Sequence, residues 1–235
     1  MATHAVMTAE TTWPDFGISS ERLAEAFARL SPFTLADGLR AFYGLYAAKF
    51  GKPRWGEKTP FYGRRMPAIE AVLPEAHFLH VIRDGRDVAL SLRPLWFSPG
   101  EQIEAQAQNW LTKVSAIRAG GRRCRHYLEV RYEDLVLDTE SVLRRICEFI
   151  ALRYDPRMLL YHENAQDRLD ELGDEYRFKD TRISKAARMA IHGKTLHPPD
   201  PARVARWRSD MSLGDRDTFT SIAGALLADL GYPLS

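Results

Sequence analysis

The sequence predicts an α/β protein with a central parallel sheet flanked by helices. Three observations carry that expectation. The apolar run His77-Phe78-Leu79-His80-Val81-Ile82 stops at Arg83-Asp84-Gly85-Arg86-Asp87, after which the apolar spacing changes to Val88, Ala89, Leu92 and Leu95. A short apolar run before a glycine turn suits a buried parallel strand, and the 3.6-residue period after it suits a covering helix. Tyr127-Leu128-Glu129-Val130-Arg131 repeats the pattern, and is followed by Val142, Leu143, Ile146, Phe149 and Ile150 at helical spacing. In such strand–turn–helix units the ligand lies at the carboxyl ends of the strands, so Arg83 stands where a ligand is held.

In chain order, Met1 to Asp15 has little periodicity and reads as a loose lead-in, with a single domain over 16–235. Ser20 can cap a helix bearing Leu23, Phe27 and Leu30, and Thr34 a second one bearing Leu35, Leu39, Phe42 and Tyr46. Phe50-Gly51-Lys52-Pro53 stops it. Arg54 to Pro60 reads as a short strand entering a turn, since Pro60 biases Thr59 away from helix. Residues 61–73 suit a helix ended by Pro74. Pro94 and Pro99-Gly100 bracket a loop with Trp96 and Phe97, which suits either an acceptor pocket or a lid packed on the core. Ile103, Ala107, Trp110, Val114 and Ile117 mark a long amphipathic helix ended at Gly120-Gly121. The helix after the second strand is capped by Asp138 or Thr139.

From Asp155 to Pro199 the chain is polar and irregular, and its acidic stretch Asp167 to Glu175 gives way to Lys179, Arg182, Lys185 and Arg188. That sign change suits a surface segment or lid. Asp200-Pro201 is a helix start with N-cap and proline in place, leading to Arg203, Arg206, Trp207 and Arg208. A last helix through Phe219, Ile222, Ala223, Leu226, Leu227 and Leu230 ends at Gly231.

Composition bounds the function. The chain has 235 residues, 45% hydrophobic and 27% charged, with a formal net charge of +2. That balance fits a globular protein and gives no global pull on nucleic acid, so any anion site must be a local cluster. The cluster Arg122, Arg123 and Arg125 lacks the aromatics that nucleic-acid binding would need. Cys124 and Cys147 are the only cysteines and have no metal-ligand or CxxC spacing, which points to reduced thiols and a cytoplasmic home. No metal site, membrane span or signal peptide is expected.

Asp87 and Ser91 are four residues apart and share a helix face. A guanidinium and a hydroxyl meeting near a helix start make a phosphate site; the same residues also suit a structural tie between Arg83 and a carboxylate such as Asp87. Arg83 with Ser91, within VIRDGRDVALSL, is similar to the 3′-phosphate-binding segment of PAPS-dependent sulfotransferases, PAPS being 3′-phosphoadenosine 5′-phosphosulfate. GEKTP at 56–60 resembles the family's Lys-Thr-Pro segment, and RYEDL at 131–135 its tyrosine near the adenine and ribose 3′-phosphate. Ala205-Arg206-Trp207 is similar to the late basic segment that folds over the 3′-phosphate.

The resemblance covers roughly Phe16 to Tyr232. It implies a P-loop-NTPase-like sulfotransferase fold, PAPS as donor, adenosine 3′,5′-bisphosphate as product, and a small-molecule or biopolymer acceptor. It places Lys58 beside the sulfuryl group, and Arg83, Ser91, Tyr132, Arg206 and Trp207 at the nucleotide. Sulfuryl transfer also needs a general base. Glu57 is the candidate beside Lys58, although alternation along an extended segment sends the two side chains to opposite faces. The family's opening strand and Pro-Arg-Ser-Gly-Thr-Thr-like 5′-phosphosulfate loop find no match in this sequence, nor does a Walker loop. Three explanations stand: a shortened gene product, a relative that has lost activity but keeps a 3′-phosphonucleotide or protein partner, or a 5′ end bound another way.

Overall fold

The computed structural model describes residues 2–178 and 181–235. Lys179, part of the expected sign change, lies outside them. The segment without readable period at the start forms helix α1 (Ala2–Thr8) and a 3-10 turn, Trp13–Phe16. Helix α2 (Ser20–Ala28) is capped by Ser19, whose hydroxyl accepts the Arg22 N–H, and not by the expected Ser20. Helix α3 (Leu35–Lys49) is capped by Thr34 as its sequence indicates.

The expected strand at Arg54–Pro60 is corrected: residues 54–59 are without ladder partner or regular structure. Pro53 and Pro60 bracket the segment, and each removes a donor that a ladder would use. The expected helix over 61–73 is split. A 3-10 turn, Pro60–Arg65, precedes helix α4 (Met66–Val72), because Pro67 suits only a helix's first turn.

Strand β1 (Phe78–Ile82) leads into helix α5 (Gly85–Leu92), and α6 (Ile103–Gly121) covers the sheet before strand β2 (Tyr127–Arg131). Helix α7 (Tyr132–Leu137) follows β2 at once, and α8 (Thr139–Phe149) starts from Asp138, whose side chain makes no cap bond. β1 and β2 pair in parallel, Ile82 opposite Arg131. Among the described residues this parallel sheet has two strands, and Leu79 and Val81 on β1 are half-exposed.

Residues 155–199 hold more regular structure than their composition suggests: a 3-10 run, Pro156–Asn164, then α9 (Ala165–Asp170), an antiparallel hairpin of β3 (Glu175–Phe178) and β4 (Thr181–Ser184), and α10 (Lys185–His192). These elements are short, and among their described residues α9 buries Ala165 and Leu169 and β4 buries Ile183, too few to write a period. The expected helix at Asp200–Pro201 is one 3-10 turn, Pro201–Arg203, ended by extended Val204, with Ala205 beyond it at φ +57°. Helices α11 (Trp207–Asp210) and α12 (Leu213–Asp229) close the chain. Gly231 takes φ +73° just beyond α12, and the N–H groups of Gly231 and Tyr232 return to the carbonyls of Ala228 and Leu227.

The chain divides into two units, Met1–Lys58 with Leu160–Pro198, and Thr59–Leu159 with Pro199–Ser235. The first has a core of Ile18, Leu23, Phe27 and Phe42. The second packs α12 and α5 against α6, around Ile82, Trp110, Trp207, Phe219 and Leu227.

Candidate functional site

The site is built at the carboxyl ends of β1 and β2, within the second unit. Arg83 follows Ile82, the last residue of β1, and Tyr132 follows Arg131, the last of β2. Asp84, two residues past the strand, caps α5, accepting the Arg86 N–H at 2.9 Å. Gly85 brings the chain so close to the core that a Cβ there would lie 2.5 Å from the Trp110 ring and 2.6 Å from that of Phe219. The Trp110 indole N–H in turn donates to the Arg83 carbonyl at 3.1 Å.

The Arg83 guanidinium is mostly covered, with its side chain 17% exposed. Nη1 donates to Ser91 Oγ at 3.0 Å and Nη2 to the Arg203 carbonyl at 2.7 Å. The guanidinium lies 4.7 Å from the centre of the Tyr132 ring. Asp87 Oδ2 stands at 3.6 Å, an open ion pair. Buried Nε has no partner. Arg83, Ser91 and Tyr132, three of the residues singled out from sequence, therefore converge in one place. The tie to Asp87 is also present.

Arg203, Arg206 and Trp207 lie on one segment fastened to that place. Besides the Arg203 carbonyl, the Trp207 N–H donates to Asp87 Oδ1 at 2.8 Å. Burial raises the Asp87 carboxyl above its ordinary range, and the Trp207 N–H and Arg83 act in the opposite sense. The Trp207 ring itself is 2% exposed, with the Arg86 guanidinium 3.5 Å over it, so it is part of the core. The Arg206 guanidinium is held by Asp210 Oδ2, at 2.9 and 2.7 Å.

Lys58 and Glu57 belong to the first unit, and both are exposed. Lys58 lies near enough to His192 that its charge, with that of Arg188 and behind the larger effect of burial, holds the His192 imidazole below its usual range. Trp55, three residues earlier, stacks on Tyr43 with ring centres 4.3 Å apart, which ties this extended segment to α3.

Sequence reasoning missed a buried layer beneath Arg83. The Arg86 guanidinium, 0% exposed, pairs with Asp84 through Nε (3.0 Å) and Nη2 (2.8 Å), and Nη2 also donates to the Pro233 carbonyl. Glu133, 6% exposed, accepts the Asp84 N–H and the Tyr232 hydroxyl, each at 2.9 Å. An acidic residue two positions past the end of each strand, Asp84 and Glu133, and a tyrosine directly after a C-capping glycine were the only available signals. Among the described residues no group of His, Cys, Asp and Glu is arranged to hold a metal, and no helix is long and apolar enough to cross a membrane.

Residues 3–156 match the model of a sulfotransferase family. Nodulation protein NoeE of Sinorhizobium fredii is 27% identical over 217 residues, covering 83% of this chain and 48% of that protein. Protein-tyrosine sulfotransferase 1 of Danio rerio is 23% identical over 97% of this chain and 62% of its own length. The chain thus spans about half the length of the relatives it matches. Among solved structures, a sulfotransferase domain from the Synechococcus PCC 7002 olefin synthase superposes with a TM-score of 0.52 at 24% identity, covering 92% of this chain and 82% of that domain.

Proposed function

Because the chain belongs to the sulfotransferase family, we propose that it transfers a sulfuryl group from PAPS to a hydroxyl or amine acceptor, with the Arg83 cluster anchoring the donor's 3′-phosphate. The convergence of Arg83, Ser91 and Tyr132 at the strand ends carries this reading. A guanidinium fixed by packing, with a hydroxyl beside it and an aromatic face against it, is suited to a phosphate on a purine nucleoside. We assign Arg206, which pairs with Asp210, as a second cation for the phosphate, and buried Trp207 holds the segment that carries it.

The chemistry asks for positioning and for cations against developing charge. The acceptor oxygen or nitrogen forms a bond to sulfur as the bond from sulfur to the 5′-phosphate oxygen breaks. The leaving phosphate takes the electron pair, and the acceptor's proton passes to a base. We assign Lys58 to the charge on the leaving oxygen and Glu57 to the proton. Trp96 and Phe97, 43% and 40% exposed, suit contact with the acceptor. We also propose that residues 16–235 act as a single domain and that the protein works in the cytoplasm.

A second reading is a relative that binds a 3′-phosphonucleotide or a protein partner without transfer, since the Arg83 cluster engages the 3′-phosphate alone. Calorimetric titration of the 235-residue chain with adenosine 3′,5′-bisphosphate tests the shared core of both. Binding near micromolar, about −8 kcal/mol, should weaken by about 2–3 kcal/mol in Arg83→Ala as charge-assisted bonds are lost. Unchanged affinity in that variant removes Arg83 from the site. Sulfuryl transfer to any hydroxyl or amine acceptor then separates the two readings.

A further inference from the structure

We infer that Tyr232, acting through Glu133, is a positioning residue that fixes Arg83 against Tyr132; the inference rests on reading Arg83 as the anchor of the 3′-phosphate. Arg83 and Tyr132 each stand one residue past the end of a strand, and the strand register places Ile82 opposite Arg131. The ladder ends there, so side-chain bonds must set the spacing beyond it. Glu133 supplies them. It is the second residue of α7, yet its Oε1 accepts the N–H of Asp84, the residue after Arg83, at 2.9 Å. Its Oε2 accepts the Tyr232 hydroxyl at 2.9 Å.

The same hydroxyl lies 3.2 Å from the Ile82 carbonyl, at the very end of β1. One proton cannot serve both acceptors fully, and the shorter bond to a carboxyl is the stronger. Burial, with Glu133 next, pushes the Tyr232 phenol far above its ordinary range, so it stays a donor at working pH. The tyrosine is fastened in turn. The Arg131 guanidinium lies 4.6 Å over its ring, and Arg86 holds the next residue by the Pro233 carbonyl at 2.6 Å. Tyr232 is 4% exposed, so it acts on a ligand only through the residues it holds.

The discriminating measurement compares affinities of the 235-residue chain for adenosine 3′,5′-bisphosphate and adenosine 5′-monophosphate, since their ratio isolates the 3′-phosphate. Tyr232→Phe should lower that ratio about fivefold to tenfold, the loss of one strong hydrogen bond. Glu133→Ala should lower it at least as far, and Glu133→Gln, which keeps an acceptor for the Asp84 N–H, should recover part of it. Leu73→Ala, a buried change outside the network, should lower the melting temperature and leave the ratio alone. A ratio within about twofold of wild type in both Tyr232→Phe and Glu133→Ala would make Tyr232 an ordinary core tyrosine and overturn the inference while Arg83 keeps its role. A wild-type chain without preference for the 3′-phosphate, or an Arg83→Ala variant that keeps the preference, would overturn the anchor reading and this inference with it.

Discussion

Replacing Gly85 by alanine should damage stability and the candidate site together. The added methyl would sit 2.5 Å from Trp110 Cδ2 and 2.6 Å from Phe219 Cζ, where about 3.5–4.0 Å is the comfortable separation between carbons. Neither ring has room to yield, since Trp110 is 4% and Phe219 0% exposed. Overpacking of this kind costs about 1–3 kcal/mol. A displaced Trp110 also loses its 3.1 Å bond to the Arg83 carbonyl, a further ~1 kcal/mol. The sum, about 2–4 kcal/mol, should appear as a lower urea midpoint at unchanged slope. The 3′-phosphate preference should fall with it, because the lost bond is on the backbone of Arg83. Gly44→Ala is the control: it lies within α3, its Cβ would meet nothing within 4 Å, and helix propensity alone should stabilise it by about 1 kcal/mol. A Gly85→Ala variant within about 0.5 kcal/mol of wild type, a surface-like effect, would refute the packing argument.

His80, held by burial at about 4, donates or accepts at the Tyr127 hydroxyl at 2.7 Å. Its unfolded value is near 6.5, so the unfolded chain binds the proton first and stability must fall as pH drops from 6.5 towards 4. Between pH 7 and 5 wild type should lose up to about 2 kcal/mol more than His80→Gln; parallel urea curves for the two proteins would reject this. Asp87→Asn keeps an acceptor for the Trp207 N–H but removes the negative charge beside Arg83, so affinity for adenosine 3′,5′-bisphosphate should rise several-fold in calorimetry. A fall to the level of Arg83→Ala would mean that Asp87 orients the guanidinium. Lys58→Ala should lower turnover by about tenfold or more while nucleotide affinity changes little, and equal turnover in an active preparation would reject its role.

What was legible in the sequence was local. The strand–turn–helix around Arg83 announces itself because an apolar run gives way to a 3.6-residue period at a glycine, and Ser91 is within reach of Arg83 by helix geometry alone. Tyr132 was singled out by the resemblance of RYEDL after the second strand, where no glycine marks the turn. Residues 54–59 misled because an extended backbone between prolines has the composition of a strand without its partner. Residues 155–199 misled in the other direction, since elements that bury only Ala165, Leu169 or Ile183 leave no pattern. Glu133 and Tyr232 meet across 99 residues. Nothing in the spacing of either could reveal a bond that exists only once both strands and the last helix are in place.

The five residues Arg83-Asp84-Gly85-Arg86-Asp87 show why motif and geometry must be read together. They contain two arginines and two aspartates, and the structure pairs them nested, Arg83 with Asp87 and Arg86 with Asp84. The inner pair is closed: Arg86 is 0% exposed, bound to Asp84 through Nε and Nη2, and covered by Trp207. Such a buried pair cannot open without stranding a charge, so it is a fixture. The outer pair is open at 3.6 Å, and one oxygen of Asp87 is committed to the Trp207 N–H. Asp87 therefore cannot embrace the Arg83 fork with both oxygens. The guanidinium is left with a hydroxyl and a backbone carbonyl as its close acceptors, both neutral and both weaker than a phosphate oxygen. Of two chemically alike pairs in one turn, the inner holds the fold and the outer is the open one, the pair in which the proposed 3′-phosphate would compete with Asp87.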